Sequence, residues 1–156
     1  MFSTTLTLLV VYSIMDLHAR RVRNEYLVVG GVTGFSLVVL SGHLAANSML
    51  HLTAVIFVSS VSYLLFRIGA IGGADAKALM LVAFLSPGIE LAMWGSPILE
   101  GLIGGGLELF MMLLLGYVYT KRASILMNNS DSEYQTIPLI PFLMLSYILI
   151  QILSFV

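Results

Sequence analysis

Cysteine is absent from this chain. Its absence excludes disulfides, zinc ribbons, thiolate metal centres and a cysteine nucleophile. Charge is almost as scarce: charged residues make up 10% of the sequence, against about 25% in a typical soluble domain. No run of Lys or Arg builds a basic patch, and a net charge of -1 offers nothing to a nucleic acid, so no nucleic-acid partner is expected. His18, His43 and His51 show no metal-ligand spacing, so neither a metal nor a cofactor is expected. The stretch Gly72–Lys77, "GGADAK", lacks the Gly-Lys-Ser/Thr ending of a phosphate loop. No Gly-x-Ser-x-Gly elbow occurs either.

What the chain has in quantity is apolar surface, 59% of its 156 residues. A soluble domain of this size has too little interior to hide so much. A bilayer does not need to hide it. The chain therefore reads as a single all-α membrane domain over 1–156, a multi-pass helix bundle whose partner is the lipid bilayer. Six apolar segments run roughly over 2–18, 26–42, 50–68, 74–89, 97–119 and 137–155. The first has the look of a signal-peptide core. It lacks a basic leader and a small-x-small cleavage site, which makes it a first transmembrane helix. Several segments fall short of the roughly 20 residues that a span requires. The first and fourth reach that length only by carrying their polar ends into the membrane. The glycine-rich stretches "GGVTG" and "GLIGGG" are expected to let helices pack closely.

The basic residues orient the bundle. Arg20, Arg21 and Arg23 follow the first segment, Arg67 and Lys77 flank the junction of the third and fourth, and Lys121 and Arg122 follow the fifth. The intervening connections, "SGHLAANSM" and "SPGIELAMWGSP", contain none. All seven basic residues thus fall in alternate connections, as six spans with both termini outside require under the positive-inside rule. Trp94, in an outside connection, suits an interfacial anchor. The polar stretch 120–136 reads as a cytoplasmic loop, and Pro138 and Pro141 suit the first turn of the last helix.

This topology brings two acids to one depth. Asp16 closes the first helix and Asp75 opens the fourth, both at the cytoplasmic face. Neither has an obvious basic partner one turn away on its own helix, apart from Arg20, which can reach the headgroups. An ionisable group within a membrane segment is costly, and by default suggests function. Two neighbouring carboxyl groups do not both ionise easily, so they share a proton and titrate as a unit. The ionised member can draw a proton from water while the protonated one donates to a carbonyl, which is the chemistry of aspartic peptide hydrolysis. The dipole at a helix N-terminus favours the charge on Asp75. Set against this, an Asp at a helix start is often only a cap, and an Asp at a helix end only an anchor.

The segments "DLHARRVRN" and "GGADAKALMLVAF" together resemble the type IV prepilin peptidase family, aspartic proteases of the inner membrane. The first matches that family's helix-terminal Asp followed by basic residues and Asn: Asp16, Arg20, Arg21, Arg23 and Asn24. The second resembles its Gly-x-Gly-Asp stretch followed by Lys, with Ala74 as a departure: Gly72, Gly73, Ala74, Asp75 and Lys77. "IPLIPFLM" is similar to the family's last helix. Ala74 stands where bacterial members have glycine, and a hydrophobic residue there resembles the archaeal preflagellin and prepilin peptidase branch. The resemblance implies a catalytic pair, Asp16 and Asp75, supported by Gly72, Gly73, Lys77 and Asn24. It implies prepilin- or preflagellin-like substrates whose short basic leader is cut at the cytoplasmic face of the cell membrane. The paired cysteines of the methyltransferase region of larger members are missing, so peptidase activity without N-methylation is expected. Gly72 and Gly73 would let backbone approach a substrate closely, and Lys77 would bind lipid phosphate or steady its loop.

Other acids compete for a role. Glu108 lies midway along the fifth segment, where a carboxyl group is unusual. Glu100 is nearer the outer interface, and Glu25, Asp131 and Glu133 could attract a basic leader. With Glu108, the two aspartates could instead form the relay of a small proton-coupled transporter. A catalytically idle scaffold for a pilus or flagellum-like machine is the third reading.

Overall fold

The computed structural model describes residues 2–19, 22–88, 95–126 and 138–153. Arg20, Arg21, Trp94, Asp131 and Glu133 lie outside them. The described residues form helices and no strands. The helices are α1 (Phe2–Ala19), α2 (Asn24–Leu40), α3 (His43–Ala46), α4 (Ser48–Arg67), α5 (Gly73–Leu85), α6 (Pro97–Leu126) and α7 (Ile140–Leu153). The six apolar segments thus correspond to the six longer helices. The short α3 is an addition in the connection after α2. One boundary differs more: α6 continues to Leu126, through the start of the stretch expected to be a loop from 120. Thr-Lys-Arg-Ala-Ser contains no glycine or proline to stop a helix.

α1, α4 and the Pro97–Arg122 part of α6 are long and apolar enough to cross a membrane. α2 and α7 are apolar but shorter. α5 has only 13 residues, about 20 Å of helix at 1.5 Å per residue, against a hydrocarbon core of about 30 Å. It stops at Leu85 because Ser86 precedes Pro87, and the residue before a proline is pushed out of helical geometry; Ser86 has φ -139 and ψ 76.

Side-chain contacts show that the helices alternate in direction. At one end, the start of α5 meets the start of α2 through Lys77 and Asn24, and the end of α1 meets the start of α7 through Ser13 and Ile140. At the other end, Phe2 stacks on Tyr147 and His51 of α4 meets the end of α5. α1 lies against α7, α2 against α5, and α4 against both α5 and α6, while α6 also packs on α7. Both glycine-rich stretches sit at close helix contacts. A Cβ on Gly101 would meet the backbone of α4, 3.2 Å from Ala54 N and 3.3 Å from Leu50 O. One on Gly30 would collide with the Tyr12 hydroxyl.

The turn from α4 into α5 has a specific closure. The Ala70 N–H donates to Leu65 O at 2.9 Å and the Gly69 N–H to Phe66 O at 3.0 Å. Gly69, at φ 76, takes the left-handed conformation that this paired closure demands and that glycine adopts without a Cβ clash. The turn leads Ile71, only 4% exposed, into the core and releases Gly72 as the N-cap of α5.

Candidate active site

Asp75 is the third residue of α5, and its Oδ2 accepts a hydrogen bond from the Gly72 backbone N–H at 3.2 Å. The carboxyl group thereby satisfies one of the amide donors that a helix start leaves unpaired. Asp16 sits in the last turn of α1 and is 6% exposed. The backbone N–H of Ile140, first residue of α7, faces its carboxyl group. The Oδ2 of Asp16 is buried with no hydrogen-bond partner. The two aspartates lie close enough for their charges to act on one another, although they sit on helices far apart in the chain. A buried acceptor without a donor is expensive, so this oxygen is ready to receive a proton donor such as water.

The supporting residues divide into three kinds. Lys77 donates from Nζ to Asn24 Oδ1 at 2.7 Å, across 53 positions of sequence. This contact joins the two segments that carry the aspartates, in keeping with a role of Lys77 in steadying its loop. Gly72 is constrained by Asp75: a Cβ there would stand 2.7 Å from Asp75 Oδ2. Gly73 has no such constraint, since its Cβ would meet only the Phe66 ring, at 3.4 Å. Glu25 is exposed and paired with Arg23 at 2.8 Å.

Two features near Asp16 escaped the sequence reading. Tyr12, one turn before it and 3% exposed, donates its hydroxyl to Tyr26 O at 3.0 Å. Ser13 donates to Ile140 O at 3.5 Å, a long contact. Together they tie α1 to α2 and α7 around the acid. The signal was available, because both are polar residues on the Asp16 face of an apolar helix.

Glu108 does not join the pair. It is 8% exposed, with Oε1 unpartnered, and borders a cavity of about 10 Å³ with Ser86, Gly88, Tyr147 and Gln151, at the end of the bundle away from the aspartates. About one water molecule needs that much space. The polar groups here follow from the shortness of α5. Its chain leaves the helix while still buried, and backbone at such depth must be satisfied by protein. Gln151 Nε2 donates to Gly88 O at 3.3 Å, Tyr147 donates to Ser86 Oγ at 3.0 Å, and His51 meets Phe84 O at 2.9 Å. Tyr147 and Gln151, which with Ser146 are the polar residues of an apolar last helix, were the legible signs. His43 and His51, scattered in sequence, are brought to 2.9 Å. Among the described residues, no group of three or more His, Asp or Glu converges as a metal site.

No curated protein and no solved structure matches this chain. A family model described as the type IV leader peptidase family matches residues 3–155. An acid at the end of α1 and another at the start of α5, joined by the Asn24–Lys77 contact, lie within that match, and this chain belongs to the type IV leader peptidase family.

Proposed function

We propose that this protein is a membrane aspartic endopeptidase. It removes the short basic leader from prepilin- or preflagellin-like proteins, using Asp16 and Asp75 to activate water. The observation that carries the proposal is the placement of two carboxyl groups at one end of the bundle, within reach of each other's charge, with a buried oxygen of Asp16 left without a partner. In this reading six helices span the cytoplasmic membrane, both termini lie outside and the aspartates face the cytoplasm. The described basic residues Arg23, Arg67, Lys77, Lys121 and Arg122 all belong to the aspartate end, in keeping with that orientation.

The chemistry follows from one shared proton. The ionised carboxylate takes a proton from water as the water oxygen bonds to the scissile carbonyl carbon. The protonated carboxyl donates its proton to the carbonyl oxygen, giving a neutral tetrahedral diol. Collapse of the diol breaks the C–N bond. One hydroxyl proton returns to a carboxylate, and the other carboxyl protonates the leaving amine. The substrate's hydrophobic helix lies in the bilayer, with its scissile bond at the depth of the pair.

Membranes containing the protein, mixed with a prepilin-like substrate, are expected to shorten it by the mass of its leader. The proposal fails if the substrate stays intact while the purified protein, in liposomes, dissipates a proton gradient; that result belongs to a carrier.

A further inference from the structure

His51 is 2% exposed, and both its ring nitrogens are engaged. Nδ1 lies 2.9 Å from Phe84 O at the end of α5. A carbonyl can only accept, so Nδ1 carries the proton and donates. In the neutral ring this leaves a lone pair on Nε2. That lone pair faces His43 Nδ1 at 2.9 Å. The contact to Phe84 is explained by the need to satisfy a buried helix end. The contact to His43 satisfies that lone pair: His43 Nδ1 donates to it, so one N–H···N hydrogen bond holds the half-buried ring of α3 beside the buried ring of α4.

We propose that His43 and His51 form a binding site for one divalent late-transition-metal ion, at the end of the bundle away from the aspartates. Three observations carry it. The tautomer of His51 is set by a backbone carbonyl, the arrangement that orients and strengthens imidazole ligands in metal sites. The separation fits one ion: metal–nitrogen bonds of about 2.0–2.1 Å put two cis ligands roughly 2.9 Å apart at 90° and about 3.3 Å apart at the tetrahedral angle. The observed 2.9 Å, now the length of a hydrogen bond, leaves both nitrogens within reach of one ion after a turn of the His43 ring; among divalent ions, imidazole sites bind Cu²⁺ most tightly and Ni²⁺ next to it in the series. The third observation is access. His43 belongs to the four-residue α3, which has no buried residue and is entered through Gly42 at φ 71.

The two rings now stand at 87° with their nitrogens aimed at one another. Chelation requires the lone pairs to converge on a point beside the line between them, so the His43 ring turns and its proton moves from Nδ1, where it now donates to His51, to Nε2. His51 and its bond to Phe84 stay in place. With two protein ligands, water completes the coordination shell. A bound ion would clamp α3 to α4 and, through His51, to the end of α5. The site is independent of the peptidase reading.

The test uses tag-free protein in detergent with one equivalent of CuCl₂. The electron paramagnetic resonance spectrum is expected to show coupling to two imidazole nitrogens. Thermal unfolding with NiCl₂ is expected to shift upward, with EDTA reversing the shift and MgCl₂ producing none. His43→Gln preserves the His51–Phe84 bond, so the variant folds, and it should lose one nitrogen coupling and the nickel shift. His18→Ala should change neither. The proposal is overturned if wild type shows no two-nitrogen signal, or if His43→Gln keeps both signal and shift.

Discussion

The neighbouring glycines Gly72 and Gly73 should respond oppositely to the same small change. In Gly72→Ala the new Cβ would stand 2.7 Å from Asp75 Oδ2, where ordinary contact begins near 3.4 Å. The carboxylate must therefore retreat by roughly 0.7 Å, taking it off the Gly72 N–H that now holds it. A displacement of about 1 Å at a reacting group can cost about 100-fold in rate, so a loss on the order of 10- to 100-fold in kcat is expected. Stability should hardly move. The lost cap costs about 1 kcal/mol. The backbone of Gly72, at φ -73 and ψ 157, is one that alanine adopts freely, and restricting the unfolded chain returns about 0.4–1 kcal/mol. In Gly73→Ala the Cβ only touches the Phe66 ring at 3.4 Å, and activity should stay within about 2-fold of wild type. The assay is leader removal by purified variants at saturating substrate, with thermal unfolding run alongside. Full activity in Gly72→Ala, or an equal loss in Gly73→Ala, would refute the idea that Gly72 is glycine to leave room for Asp75.

Lys77→Met removes the bond to Asn24. At about 1 kcal/mol for an exposed hydrogen bond, cleavage should slow about 5-fold, with Lys77→Arg recovering part of the rate; no change would make the contact incidental. Gly101→Val forces a side chain against the α4 backbone and should cost about 1–3 kcal/mol of stability. Gly106→Ala, whose Cβ would meet only the Phe57 ring at 3.6 Å, should unfold like wild type. Because the chain lacks cysteine, single cysteines report topology without background. In intact cells a membrane-impermeant maleimide should label Ser41→Cys and leave Arg122→Cys unlabelled; the reverse would invert the bundle.

Much of the framework was legible because hydropathy and basic residues act locally. The alternation of Arg67, Lys77, Lys121 and Arg122 with connections free of Lys and Arg placed Asp16 and Asp75 at one end, where the structure has them. Helix ends were less legible. α5 stops early because of one proline, and α2 stops before Gly42, whose left-handed backbone breaks the helix. The Asn24–Lys77 and His43–His51 contacts were hidden for another reason. Each joins residues whose spacing carries no periodicity, and only the packing of α2 on α5 and of α3 on α4 brings them together. The unpartnered oxygen of Asp16 was equally hidden, since burial of one atom depends on every helix around it.

The central claim is that Asp16 and Asp75 act as one unit. Its most direct measurement is the rate of leader removal by Asp16→Asn, Asp75→Asn and the double variant, with folding verified for each. Residues that share a single proton in one step are strongly non-additive. Each single variant should lose cleavage, and the double variant should be no slower than the slower single. Wild-type cleavage by either single variant, or losses that multiply in the double, would contradict the pair.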